Sequence, residues 1–351
     1  MPVSRQRRIW WLARYGRAVS EAPANVRLLG GVAAQSGRPD SPVRRFLDQW
    51  LPGRAAVAHR WEQELAAAPG VPWRPVDVPV SRALVGQVIE MRIGLDAADR
   101  PAYWPLLAFL PPEQLTTVLT AAGYGPPEHE LADPQTTDPL LRAWQRVSHP
   151  LYADTADERA ALRALLAAAG METVAHRLPD LPAESRRAVH QALHPADHNA
   201  DPEAEHEPGD RDRAYLTMLT DLWGGYLRHG RAALHALGGL VRPQVVLAPG
   251  FAIADLLVGH TLVEIKTSSD PGDYLTSWLD QLLGYLLCDR FDTLAITHLA
   301  IYSAWNATVI CEPVPAVLHT AGAPDLHIAR DHFHRALGED IARAAATQLH
   351  R

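Results

Sequence analysis

The stretch "FAIADLLVGHTLVEIKTSSD", residues 251–270, reads as two short strands joined at Gly259-His260. A Gly-X pair between apolar runs is the pattern of a two-residue type II′ hairpin turn. With the turn fixed there, the register follows: Val258 faces Thr261, Leu257 faces Leu262, and Asp255 falls opposite Glu264. Side chains alternate along a strand, so Glu264 and Lys266 share a face, as do Ile253 and Asp255. Cross-strand partners also share a face. Three charged groups therefore converge on one side of an otherwise apolar hairpin.

Two carboxylates opposed in a half-buried sheet repel, which destabilises the sheet or raises one pKa. A divalent cation between Asp255 and Glu264 removes the conflict. Mg²⁺, or Mn²⁺ in its place, takes oxygen ligands and needs few protein carboxylates, leaving positions for water and substrate phosphate. Such an ion activates water and stabilises charge on phosphorus. Lys266 completes the set. Of the 33 basic residues in the chain it is the one lysine; all the others are arginine. Where arginine serves for every other positive charge, a retained lysine points to a need for a compact ammonium rather than a wide planar fork. Beside a metal site it can orient the attacking water or steady the charged transition state.

Outward from the hairpin the pattern is that of an α/β layer. "RAYLTMLTDLWGGYLRHGRAAL" is helical, and "PQVVLAPG" leads into the strands of the hairpin. "DYLTSWLDQLLGYLLCD" is an amphipathic helix, and "ITHLAIYSAWNATVICEPV" returns to one or two strands. On the helix, Gln281 and Tyr285 lie four apart on one face.

Before this region, "HPADHNADPEAEHEPGDRD", residues 194–212, is acidic and aperiodic, and reads as a solvated linker in which His194, His198 and His206 are incidental. It divides the chain into a mainly helical domain 1–193, a linker 194–210 and an α/β domain 211–351. Within the first domain "SPVRRFLDQWL" opens on Ser-Pro, a good helix entry, and "GRAAVAHRWEQELAAA" carries a helical period. "RALVGQVIEMRIGL", rich in β-branched residues, is the strand candidate. Residues 1–60 carry 11 arginines against Glu21, Asp40 and Asp48, so a basic head hides within a net charge of −7. Trp10, Trp11 and Tyr15 lie among those arginines and read first as a helix's packed side.

The bulk composition, 47% hydrophobic and 21% charged, is that of an ordinary globular protein. No run of 18 apolar residues predicts a membrane span, and the first residues lack a signal-peptide pattern. Cys288 and Cys311 sit in apolar stretches without metal spacing and read as reduced core residues of a cytoplasmic protein.

Asp255-x8-Glu264-x-Lys266 across a strand–turn–strand resembles the PD-(D/E)XK nuclease superfamily. Gln281-x3-Tyr285, 15 residues beyond Lys266, is similar to an element of its RecB-like branch, and Gly250 ahead of Asp255 fits that branch too. The resemblance covers roughly residues 211–315. It implies a central mixed sheet flanked by helices and Mg²⁺-dependent cleavage of phosphodiester bonds, in DNA before RNA. Asp255, Glu264 and the Ile265 carbonyl would bind metal, Lys266 would assist the nucleophile, and Gln281 and Tyr285 would position the strand. His229 and Asp221 are candidates for a further residue that such nucleases often place on the helix before the sheet. With two cysteines, the four-cysteine iron–sulfur centre of one subset is excluded. The N-terminal domain is expected to recognise substrate or a protein partner. The alternatives are an RNA nuclease, or a non-catalytic module gripping nucleic acid or protein on the same fold.

Overall fold

A computed structural model describes residues 31–68, 80–98, 210–248, 251–269, 272, 274–323 and 325–349, with six scattered positions between 158 and 169. The basic head to residue 30, the acidic linker up to residue 209 and Gly250 lie outside the described residues. The chain divides into two compact units. One takes in the described residues between Pro72 and Gly224, and the other those of Ser20–Val71 and Gly225–Arg351.

The second unit holds a five-stranded mixed sheet in the order β1-β2-β3-β4-β5. The strands are β1 (Val241–Ala248), β2 (Ala252–Val258), β3 (Thr261–Lys266), β4 (His298–Ser303) and β5 (Thr308–Pro313). All neighbours are antiparallel except β3 and β4, which run parallel. A parallel pair needs a crossover long enough to carry the chain back, and the helix Leu275–Cys288 supplies it. Between β2 and β3 the turn is the one expected. Gly259 takes a φ of 59° while His260 stays out of the left-handed region, as a II′ turn requires. Val258 pairs Thr261 and Leu257 pairs Leu262.

One sheet face carries Leu257, Leu262, Leu299 and Ile301, all buried. Against it lies the crossover helix, and against that lie three helices from early in the chain: α1 (Val32–Ser36), α2 (Pro42–Trp50) and α3 (Arg54–Ala67). α2 starts where Ser-Pro places it. The Ser41 Oγ accepts from the Arg44 N–H at 3.1 Å, and Pro42 needs no donor at the first helical position. Its Phe46 and Leu47, with Val57, Trp61 and Leu65 of α3, enter the same core as the sheet. Contact is close: a Cβ on Gly284 of the crossover helix would stand 2.6 Å from Val32 of α1.

These helices therefore belong to the sheet's unit, whereas the acidic stretch had suggested a division that kept them apart from it. The physical reason lies in the crossover helix. Every residue from Trp278 to Cys288 is buried, and a helix buried all round must be covered on more than its sheet side, which a purely amphipathic reading of it did not require. The apolar stripes of α1–α3 provide that cover.

In the other unit, "RALVGQVIEMRIGL" is helix, not strand: it lies within α4 (Arg82–Ala98). Val85, Val88, Ile89 and Arg92 are buried, a spacing of three, one and three that follows the helical period. Periodicity outweighed the β-branched content. Arg92 makes a two-pronged ion pair with Glu158, at 2.9 and 3.1 Å, and lies 3.7 Å above the Trp223 ring. Trp223 sits on α5 (Asp210–Gly225).

The opposite face of the sheet receives a π-helical turn, Tyr226–Gly230, and α6 (Arg231–Ala236). Tyr226 meets Tyr302 of β4 edge-on at 6.1 Å, and a Cβ on Gly230 would clash with the Tyr302 ring. The crossover helix is α7, followed by α8 (Val314–Ala321) and α9 (Leu326–Leu349). Both cysteines are free, but only Cys288 is buried; Cys311, on the edge strand β5, is exposed rather than a core residue. Among the described residues no helix is long and apolar enough to cross a membrane.

A fragment of residues 211–351 keeps the sheet and α7 but loses α1–α3. It is expected to unfold without a cooperative transition and to bind hydrophobic dyes, because Trp61 alone contributes about 3–5 kcal/mol by the cost of truncating such residues. A cooperative melt from this fragment, near that of the full chain, would mean that α1–α3 are dispensable cover.

Candidate active site

The hairpin ladder runs from Val258/Thr261 to Leu256/Val263 and there it ends. Asp255 and Glu264 come next in register but are not ladder partners. β2 turns to β1, with Ala254 opposite Val245, while β3 stays with β4 as far as Lys266 opposite Ser303. The strands part, and the Ile265 N–H would lose its acceptor. The Asp255 carboxylate takes it instead, accepting at Oδ2 from the Ile265 N–H at 2.7 Å. A buried amide must find a partner, and here a side chain replaces the ladder.

Glu264 is only 2% exposed. Its Oε1 accepts from Lys266 Nζ at 2.8 Å and from Gln281 Nε2 at 2.6 Å. Lys266 Nζ also donates to Gln281 Oε1 at 2.8 Å, and Gln281 Nε2 donates to the Tyr285 hydroxyl at 2.9 Å. Gln281 and Tyr285 meet because they are four apart on α7, and α7 lies over the charged end of β3. The structure thus brings together Glu264, Lys266, Gln281 and Tyr285, with Asp255 one residue away through Ile265. His229 is exposed in the π-helical turn and takes no part in these bonds, and Asp221 belongs to the other unit.

One atom at the centre is left over. Glu264 Oε2 is buried with no hydrogen-bond partner among the described residues, and a buried anionic oxygen without a donor is costly. The oxygens that the sequence assigns to a metal, the Asp255 and Glu264 carboxylates and the Ile265 carbonyl, are all hard donors. That set suits Mg²⁺ or Mn²⁺ and not a thiophilic metal. No group of three or more His, Cys, Asp or Glu residues lies together among the described residues. A full protein cage is therefore not on offer, and Mg²⁺, which keeps waters in its shell, does not need one.

A second charged cluster holds the first in place. Asp280, beside Gln281 on α7, is fully buried. Arg54 Nε of α3 donates to its Oδ1 at 2.6 Å, and Arg44 Nη1 of α2 stands 2.8 Å from its Oδ2 as an ion pair without hydrogen-bond alignment. Arg54 further donates to the Leu47 and Leu51 carbonyls at 3.0 and 3.2 Å and pairs with Asp48. Burial pushes the Asp280 carboxyl above its ordinary value, and the Arg54 and Arg44 charges only partly offset it. Asp48 also loses solvation, but there the same arginines prevail and hold it below its ordinary value. The two carboxylates share their cations and differ in depth. Sequence reasoning passed over this cluster, although a signal was present: Asp280 is the one charged residue in an otherwise apolar helix, and a buried carboxylate needs a partner.

No family model, curated protein or solved structure matches the chain.

Removing Asp280 by Asp280→Ala leaves the buried Arg54 Nε without its acceptor and Asp48 as the remaining acidic partner among the described residues, and thermal denaturation should register a loss of about 3 kcal/mol. Exchanging both partners, Arg54→Met with Asp280→Leu, should recover much of it. A single variant as stable as wild type would show that the pair does not tie α3 to α7.

Proposed function

We propose that Asp255, Glu264 and Lys266 form the active site of a Mg²⁺-dependent nuclease that hydrolyses phosphodiester bonds, in DNA by preference, on a PD-(D/E)XK-type domain of the RecB-like kind. The observation that carries this reading is the pairing of a lysine ammonium, held at 2.8 Å from both Glu264 and Gln281, with a buried Glu264 oxygen that no donor among the described residues claims.

Mg²⁺, or Mn²⁺, would be held by Asp255, Glu264 Oε2 and the Ile265 carbonyl; when bound it supplies Lewis-acid stabilisation of phosphoryl oxygens and a more acidic water. The protein's own groups do the positioning. Lys266 spends two of its three ammonium protons on Glu264 and Gln281. The third can be offered to the attacking water or to a non-bridging phosphate oxygen as negative charge builds there. Water adds to phosphorus, the ester oxygen leaves and is protonated, and a phosphate monoester and a free hydroxyl result. Gln281 has both ends of its amide engaged within the protein, so it serves as a positioning residue for Lys266 instead of reaching for the substrate strand.

Incubation with linear, circular, single- and double-stranded DNA and with RNA, each with and without Mg²⁺, tests the activity. Metal-dependent cleavage of DNA is expected. If none of these substrates is cut, the site serves binding alone, and if RNA is cut in preference the substrate assignment falls.

Binding to the native state alone should make Mg²⁺ raise the melting temperature of the wild type. Asp255→Asn should abolish that rise while leaving the apoprotein as stable as wild type, since its amide oxygen can still accept from Ile265 N–H. Asp255→Ala should cost the apoprotein about 1–3 kcal/mol by orphaning that amide. A Mg²⁺-dependent rise that survives in Asp255→Asn would remove Asp255 from the metal site.

Lys266→Arg keeps the charge and tests the shape. The planar guanidinium cannot occupy a slot between two oxygens that each lie 2.8 Å from one nitrogen. Cleavage should fall about 100-fold, or roughly 2.7 kcal/mol of transition-state stabilisation, with the Mg²⁺-dependent melting shift retained. Wild-type cleavage by this variant would sink the proposed role of Lys266.

A further inference from the structure

Tyr274 stands at the start of α7 and is 55% exposed. The residue is nevertheless fixed. Its carbonyl accepts from the Trp278 N–H at 2.9 Å, which ties its backbone to the helix. Its ring lies parallel to the Trp278 ring, with planes 13° apart and centroids 6.5 Å apart. Trp278 itself is 8% exposed and anchored in the core. The exposed ring therefore lies alongside a buried one in an offset, near-parallel contact.

Its place along the helix gives the exposed ring a direction. Tyr274, Trp278, Gln281 and Tyr285 are separated by four, three and four residues, which puts them on one stripe of α7. The same stripe that presents Gln281 to Lys266 and Glu264 presents Tyr274 to solvent, seven residues nearer the helix start. At the rise of an α-helix that is about 10 Å, the height of about three nucleotides stacked at the 3.4 Å spacing of a strand. A strand whose phosphate sits at Lys266 can bring a base about three nucleotides away to the Tyr274 ring. A paired base inside a duplex is already covered on both faces. An unpaired one is not, and stacking on an aromatic side chain is how proteins grip it without reading its identity.

We infer that Tyr274, supported by Trp278, is a base-stacking platform beside the active site, and that the preferred substrate is therefore DNA with an unpaired nucleotide about three positions from the scissile phosphate. The inference rests on the nuclease reading of Lys266 and Glu264 and adds to it the substrate class.

The test uses the full chain with a fluorescein-labelled dT12 strand and a 12-base-pair duplex. Binding is followed by anisotropy in EDTA and cleavage is followed in Mg²⁺. Wild type should bind and cut dT12 in preference to the duplex. Tyr274→Ala should weaken dT12 binding about tenfold, within the range seen for losing one stacked base, and leave duplex binding within about twofold. Tyr274→Phe should restore dT12 binding, because the ring and not the hydroxyl is required. The Mg²⁺-dependent melting shift should be unchanged in both variants, showing an intact fold and metal site. Unaltered dT12 binding by Tyr274→Ala, an equal loss on the duplex, or failure of Phe to rescue would each overturn the platform while leaving the nuclease standing. A wild type that neither binds nor cuts any DNA would instead overturn the reading on which it rests.

Discussion

The constraint on which the unit is built is the burial of α7. β3 and β4 run parallel, so the chain must return across the sheet, and α7 is that return. Its sequence, apolar on nearly every side, cannot be satisfied by one sheet face alone. A second layer is obligatory, and α1–α3 form it from residues more than two hundred positions earlier. The cover has to be specific as well as apolar, because α7 buries a carboxylate on its way. Asp280 is tolerable only with Arg54 and Arg44 in place. Those two arginines fix where α2 and α3 sit along α7, where an apolar contact alone would allow sliding.

The same helix positions the charged group on its other side. Gln281 follows Asp280 directly, so the ion pair that seats α7 also seats the amide that holds Lys266. Lys266 is 16% exposed by side chain and Glu264 only 3%. An ammonium in that setting must have its partners supplied by the protein, and Glu264 and Gln281 supply two. The result is a polar cluster held in place by the protein's own groups, and in the proposed nuclease preorganised polarity of this kind would stabilise charge that develops during the reaction. It also accounts for lysine. The space between two oxygens on adjacent elements suits a single nitrogen, while the other basic positions of the chain carry arginine.

Much of this was legible in the sequence, and what was legible was local. The hairpin register followed from Gly259-His260, and the shared face of Glu264 and Lys266 followed from strand alternation. The pairing of Gln281 with Tyr285 followed from helical spacing. What was not legible depended on competition between distant elements. Asp255 and Glu264 are next in register, yet they do not pair, because β1 and β4 draw the two strands apart and the Asp255 carboxylate is taken by Ile265 N–H. The placement of α1–α3 was hidden for a similar reason. The acidic stretch at 194–210 looks like a boundary, but no local pattern says which earlier helices a buried helix will recruit. In α4 the error was one of weighting. β-branched residues favour strands, but the three-and-four spacing of Val85, Val88, Ile89 and Arg92 was the stronger signal.

Recruitment of α1–α3 also changes what the early part of the chain does for the site. A recognition module hung on a linker would affect binding alone. Helices that share a core with the sheet, and that neutralise the carboxylate next to Gln281, act on geometry. Displacing α7 by one ångström shifts Gln281 against Lys266, and the ammonium then loses one of its two protein partners or drags Glu264 with it. In the proposed nuclease, an error of that size in the position of Lys266 would cost orders of magnitude in rate. Arg44 and Arg54, in helices remote in sequence from Asp255, Glu264 and Lys266, therefore belong to the structural cause of the site's geometry, and the stability of the core and the alignment of the lysine are set by the same contacts.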